Sequence, residues 1–450
     1  MRERVVRVTE KSPQFVLRHG SVWFAAAVLT LGVAACGSSD DDGEGEGAAQ
    51  EGGKTLIIAN VQPYSGADAA YGPEQDAGCI PATNVINEAG GVLGNKLDCK
   101  PVDTRSNPTD AVPAVQKMFA TMPDVVGVIG PSSNEVQAVH PMLAQREIPF
   151  WPDTGDPRYN TQTSPYYWRI ATSDDAGGVA MAVTAQDQGF ERIAIVSGND
   201  SNSQTLLPSL QETYPKLGGE ILETVTITNG ESSYRAEASR VADSDPDAIV
   251  IPTTDPQTVA TFLGEFKQLN GGMVPILGQV PPLQPKFSGA IKGAISDGDY
   301  EEYYFSVHQF APTTGPAYEA FKTALLAAGD RVENPDQWVE DPFSLGPWDA
   351  VTIMALAMIH AKTTDPQEYN ASILEVTAAG DGKTEVNTFP EGKKALEAGD
   401  QIQYVGAFGP IAFTESHNFT GGFVVTKAAG KKEETVAEVS SEQIAEAAGT

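Results

Sequence analysis

Histidine, cysteine and positive charge are all scarce in this chain. Five histidines stand among 450 residues, and 29 lysines and arginines face 60 aspartates and glutamates, for a formal net charge of -31. No basic patch stands out, which excludes nucleic acid as the expected partner. Such a balance speaks of solubility and self-repulsion rather than of fold. His19 falls in a leader-like stretch, and His140, His308, His360 and His417 are scattered with no two at metal-ligand spacing. No metal and no other cofactor is therefore expected. HExxH, GxSxG and GxxxxGK are absent as well, which removes the motif-bearing hydrolases and phosphate-loop enzymes. Asp153-Thr154-Gly155 spells an aspartic-protease triplet. That chemistry needs two carboxylates sharing a proton, and no second copy occurs, so a turn is expected there. Trp151, Trp168, Trp338 and Trp348 are read as core residues rather than ligand platforms.

The amino-terminal end carries an export pattern. Arg2, Arg4, Arg7, Lys11 and Arg18 precede an uncharged apolar run from Val22 to Ala35. That run is about 14 residues, against the roughly 20 that a membrane span requires, so residues 1–35 are expected to be a signal peptide. Small residues lead into Cys36, and the segment resembles a bacterial lipobox, which implies cleavage before Cys36, lipid on its thiol and a membrane anchor on the extracytoplasmic face. Residues 36–53 are mostly Gly, Ser, Asp and Glu and suit a solvated tether. Two cysteines remain, Cys79 and Cys99. An exported protein meets oxidising conditions, so a bridge is expected. A helix from Cys79 to Asn87 rises roughly 12 Å, and a strand from Leu93 to Cys99 roughly 20 Å. With the intervening turn as slack, the two sulfurs can meet.

The chain is organised around DVVGVIGPSSN, Asp124 to Asn134 — a β-branched run followed at once by cap residues. This pattern predicts a strand buried on both faces, a tight turn at Gly130-Pro131, and a helix starting near Ser132, Ser133 and Asn134. Ligands of open α/β sheets sit at that end of a strand, where a helix N-terminus favours an anion. The plainer alternative is that the serines only cap the helix. Around this unit, strands and helices alternate from Thr55 to Trp151 and again from Arg192 to Leu277. Two such series predict two Rossmann-like α/β lobes with parallel sheets. Tyr300 to Val307 is expected to be extended, Pro316–Ala328 and Trp348–Lys362 helical, and Gly406–Lys427 a β-hairpin. A chain that returns to each lobe in turn gives a three-strand hinge and a cleft that can close. The expected division is 54–172 with 301–398, then 173–300 with 399–432, and a tail over 433–450.

Several runs resemble one family. They are Tyr64-Ser65-Gly66, Tyr71-Gly72, Gly78, Asn87-Glu88-Ala89-Gly90-Gly91, Gly94-Asn95-Lys96-Leu97, Asp103, Asn107-Pro108, Gly130-Pro131-Ser132-Ser133 and Trp348-Asp349-Ala350-Val351. In order and spacing they are similar to type I periplasmic binding proteins of the branched-chain amino acid class, over about Lys54 to Lys427. The resemblance implies a receptor, expected to be monomeric, that traps a small solute and presents it to an ABC permease without covalent chemistry. It implies ligand contacts from Ser132, Ser133 and Asn134, from Asp153 and Thr154, from a covering Tyr71, and from Asn202, Thr254 and Asp255. Two departures stand out. The loop Gly278-Gln279-Val280 lacks the acid that pairs with a ligand ammonium, and the aromatic residue usual near Asn202 is missing. Either Glu135, Asp153 or Asp255 takes the acid's place, or the solute is not an α-amino acid. A branched-chain amino acid is the default, with amides, urea-like solutes and aromatic acids as alternatives. A surface sensor and an extracytoplasmic hydrolase using Asp153 are the competing functions.

Overall fold

The computed structural model describes residues 53–66, 68–161 and 164–449. The expected signal peptide, Cys36 and nearly all of the expected tether lie outside them. The first α/β series is β1 (Thr55–Gln62), α1 (Tyr71–Glu88), β2 (Lys96–Asp103), α2 (Pro108–Thr121), β3 (Val125–Ser132), α3 (Ser133–Gln145) and β4 (Phe150–Asp153). Its strands form a parallel sheet in the order β2-β1-β3-β4. All eight residues of β3 are buried, as a β-branched run between two helical layers requires. Val126 and Ile129 face one core with α1, and Val125 and Val128 face another with α2 and α3.

The second series is α4 (Asp174–Asp187), β5 (Arg192–Gly198), α5 (Ser201–Lys216), β6 (Glu220–Ile227), α6 (Arg235–Asp243), β7 (Ala248–Val250), α7 (Pro256–Asn270), β8 (Ile276–Gly278), α8 (Pro285–Ile295), α9 (Asp297–Tyr303) and β9 (Tyr304–Gln309). The chain then supplies α10 (Pro316–Leu326), α11 (Pro342–Ala361), α12 (Pro366–Tyr369), α13 (Ser372–Thr377), β10 (Thr384–Val386), α14 (Phe389–Ala398), β11 (Ile402–Gly406) and β12 (Gly409–Pro410). It ends with β13 (Phe423–Ala429), β14 (Lys432–Val439) and α15 (Ser441–Ala448). A seven-stranded sheet runs β14-β13-β9-β8-β7-β5-β6, parallel except for β13, which runs against both β9 and β14. β10, β11 and β12 form a small third sheet. α11 is long and apolar enough to cross a membrane, but 83% of its apolar window is buried inside the protein. It is the central helix of the first core, packed on α1.

Three crossings join the lobes, after β4, after β9 and after β12, and they lie side by side. Arg169 N donates to His417 O at 3.0 Å and Phe419 N to Arg169 O at 2.8 Å. Thr172 N donates to Gln309 Oε1 at 2.9 Å. Trp168 stacks on His417 with ring centroids 3.8 Å apart.

Several expected boundaries shift. Residues 297–303 are helical, and β9 pairs with β8, so the return to the first lobe comes after Gln309 rather than near 301. β11 pairs with β10 and belongs to the first lobe's side, not the second's. The expected hairpin over Gly406–Lys427 is not one. β11 pairs with β12, while β13 pairs with β9 and β14. The expected tail is strand β14 and helix α15, the latter closed by a Ser440 capping box. α11 starts at Pro342, not Trp348, because Asp341 caps it and accepts from Ser344 N at 3.0 Å. Pro347 inside the helix gives a false breaker signal.

Cys79 and Cys99 are bonded across a separation of 20 residues, a loop whose closure is worth about 3 kcal/mol in the chain-entropy account.

Candidate functional site

The ends of β3 and β4 form the first wall of the site. β3 does not stop at Gly130-Pro131. It runs through a cis peptide there to Ser132, and α3 begins at the next residue. Gly130 has φ 86°, and a Cβ on it would meet Val61 O at 2.2 Å, so this close passage of β1 and β3 requires glycine. Ser132 occupies the cap position without a side-chain capping bond. Its hydroxyl donates instead to Glu135 Oε2. Glu135 is fully buried and its Oε1 has no partner. Burial pushes its carboxyl up, partly offset by the Ser132 hydroxyl. Ser133 Oγ donates to Asp153 O at 3.3 Å, and Asn134 Nδ2 donates to Asp68 Oδ2 at 2.9 Å. The plain capping alternative for these residues does not hold, but all three donors are already committed to internal acceptors.

A crevice opens beside Asp153. Its walls come from β4 (Trp151, Asp153), from the hinge side (Ile170, Gln309) and from the start of α11 (Pro342, Phe343), with Phe408 beyond. Its volume is about 40 Å³, enough for a few waters, whereas small-molecule sites span about 300–1,000 Å³. Asp153 is the one charged side chain among the described residues that line it. Burial, then Asp341, then Asp174 push its carboxyl up to about 6. Glu74 of α1 is raised well above the usual carboxylate range by burial and by Asp341 and Asp153. Burial also lifts Asp341 to about 6, against the opposing bonds from Ser344. Tyr71 opens α1 and is 40% exposed. Burial raises its phenol, with Asp153, Glu74, Asp68 and Glu135 adding to the effect.

The second wall meets the first at Asp174. Its backbone N donates to Gly155 O at 2.7 Å, so the turn after β4 rests on the start of α4. Its carboxylate accepts from Asn202 Nδ2 at 2.9 Å and Thr205 Oγ1 at 2.5 Å. Gln279 Nε2 donates to Asn202 Oδ1 at 3.0 Å and to Pro252 O at 2.8 Å. Burial, eased by Thr205 and Arg169, leaves the Asp174 carboxyl at about 6.

The structure thus gathers Tyr71, Ser132, Ser133, Asn134 and Asp153 around one wall, with Asn202 tied to the other through Asp174. Thr154 is adjacent, but its hydroxyl accepts from Asp156 N at 3.2 Å within its own turn. Thr254 is exposed and does not line the crevice. Asp255 caps α7, accepting from Thr258 N at 2.8 Å, and does not line the crevice. Trp151 was expected in the core alone. It is 4% exposed, stacks against Trp168, and also lines the crevice. Phe343, Gln309 and Phe408 escaped the sequence reading because they arrive from segments 150 or more residues beyond β4. Only the Asp341-Pro342 cap signal pointed to the first of them. Among the described residues no group of three or more His, Cys, Asp or Glu is placed to hold a metal ion.

A family model described as periplasmic binding protein matches residues 55–433. An amino acid binding protein of Pseudomonas aeruginosa is 23% identical over 205 residues, which cover 45% of this chain and 54% of that protein. The chain thus spans about half the length of the first curated relatives it matches. A chemotactic signal transduction substrate-binding protein, BasB of Halobacterium salinarum, is 20% identical over 83% of this chain and 87% of its own. Among solved structures, the branched-chain amino acid transporter substrate-binding protein LivJ of Streptococcus pneumoniae, in complex with isoleucine, superposes with a TM-score of 0.65. It is 19% identical and covers 86% of this chain and 99% of its own.

Proposed function

This chain belongs to the periplasmic binding protein family, with the type I fold of the branched-chain amino acid class, and we propose that it is an extracytoplasmic lipoprotein of an ABC importer that traps a small polar solute between its lobes. Family and fold are those of solute-binding proteins, not enzymes. In this reading the default solute is an amino acid or a compound of that size. Cys36 carries the lipid, and the membrane permease receives the closed receptor. One observation supports it above the others. The turn after β4 rests on Asp174 at the start of α4, which in turn holds Asn202 of α5, beside a crevice lined by Asp153 and by residues of the crossings. The crevice is too small for a solute as it stands, so the hinge must open to admit one. Ser133, Asn134, Asp153 and Tyr71 form the first-lobe wall of the bound state, and Asn202 the second. Thr154 contributes through its backbone.

The sensor reading keeps a place because BasB is described as part of a chemotactic signalling system. Both readings share the same binding event. Isothermal titration of the full chain in mild detergent, against amino acids, amines, amides and small carboxylic acids, tests it. One solute is expected to bind at one site per chain with micromolar or tighter affinity. Failure of the whole panel would remove the receptor reading.

A further inference from the structure

The crevice has a charge of one sign. Asp153 lines it, and no side chain among the described residues donates to its carboxylate. Glu74 lies close behind, and its Oε2 is shut off from solvent without a hydrogen-bond partner. A buried, unpaired carboxylate oxygen is costly. Asp341 commits Oδ2 to Ser344 and acts on both neighbours through space. Asp174 closes the set from α4. No lysine, arginine or histidine lines the crevice among the described residues. The side-chain donors at the start of α3 are spent on Glu135, the Asp153 carbonyl and Asp68.

Trp151 supplies an independent sign of a ligand. It lines the crevice at 4% exposure, and its indole Nε1 has no hydrogen-bond partner. A buried N–H of that kind wants an acceptor. Phe343 and Phe408 line the same crevice, and aromatic rings can favour a cation.

Resting on the receptor reading above, we infer that the solute is a small organic cation: an ammonium or guanidinium group seated against Asp153 and Glu74, with an uncharged hydrogen-bond acceptor turned to Trp151. A carboxylate on the solute meets Asp153, with Glu74, Asp341 and Asp174 behind it, and no cationic side chain in the lining, so zwitterions and anions bind less well than a cation of the same skeleton. The acid missing from Gly278-Gln279-Val280 is thereby replaced from the first lobe rather than the second.

A series on one carbon skeleton isolates the charge. Leucinol is a cation, leucine a zwitterion and 4-methylpentanoate an anion, with agmatine as a guanidinium probe. Titration into the full chain at pH 7.5 is expected to show leucinol or agmatine binding at least 30-fold more tightly than leucine and 4-methylpentanoate. Asp153→Asn should weaken that binding at least 30-fold. The native chain should lose about tenfold in affinity between pH 7.5 and pH 5.0, because a carboxyl raised to about 6 takes up a proton in that interval and must lose it to hold the cation. The groups acting on Asp153 there are Asp341 and Asp174, with Glu74 and Tyr71 responding to it. The pH comparison stands even if the variant fails to fold. Leucine or 4-methylpentanoate binding as tightly as the cations, or more so, overturns the inference and leaves the receptor reading intact. Silence of these probes together with the wider panel overturns both.

Discussion

Replacing Asp349 with alanine is expected to destabilise the protein by about 3–5 kcal/mol. Asp349 is fully buried in α11. Its carboxylate accepts from Tyr404 Oη at 2.8 Å, from Ala407 N at 2.9 Å and from Phe408 N at 3.1 Å. Burial lifts the carboxyl to about 6, and those three donors hold it back from rising further. The arrangement fixes the point where β11 ends and the chain sets out on its third crossing. Alanine leaves one hydroxyl and two backbone N–H groups without acceptors in a sealed interior, and each such orphan costs about 1–3 kcal/mol. Phe408 lines the crevice, so the same change should loosen its wall. Urea denaturation measures the first effect, and a loss under about 1 kcal/mol would contradict the assignment. Tyr404→Phe, which removes a single donor and leaves the two backbone bonds, should cost far less.

The second large effect comes from a glycine. Gly78→Val is expected to cost about 3 kcal/mol. At Gly78, α1 crosses α11 so closely that a Cβ would meet Ser344 O at 2.1 Å and Trp348 N at 2.8 Å. Both are backbone atoms of a helix held on every side by the first core, so neither can yield cheaply. Glycine within a helix ordinarily costs about 1 kcal/mol against alanine, and here the steric term overrides that gain. Gly289, in α8, has nothing within 4 Å of its would-be Cβ. Gly289→Ala should therefore stabilise by up to about 1 kcal/mol. Denaturation midpoints of the two variants should move in opposite directions, and a shift in the same direction would show that the α1–α11 contact does not limit packing.

Both residues belong to runs that resembled the family in the sequence, Gly78 and Trp348-Asp349-Ala350-Val351. In the structure each serves the packing of α11 rather than the ligand. That separates what local pattern can carry from what it cannot. The βα repeats were legible because β-branched runs and helical periodicity are local. α2 spans Pro108–Thr121, since Asn107 caps it and Pro108 fits its first turn. The ends of the crossings were not legible. Whether β11 pairs with β10 or joins the other sheet depends on residues far off in the chain, and 402–406 carry no mark of the choice. The Gly406–Lys427 reading failed for the same reason: β13 takes β9, more than a hundred residues earlier, as its partner. At the site, Ser132, Ser133 and Asn134 were recognisable by position. Their commitment to Glu135, the Asp153 carbonyl and Asp68 was not, because Asp68 and Asp153 come from other loops. Glu74 and Asp341 were missed altogether. Each looks like an ordinary helix-start acid, and only the α1–α11 contact brings them together behind Asp153.

The central claim is that a solute is held between the ends of the two sheets. Hydrogen exchange on the full chain, with and without a saturating concentration of a solute found by titration, tests it most directly. Slowed exchange is predicted on both walls at once: the turn after β4 at 153–156 and the start of α3 on one, the start of α5 and Gln279 on the other. Protection confined to one wall, or located away from the crevice, would contradict the account.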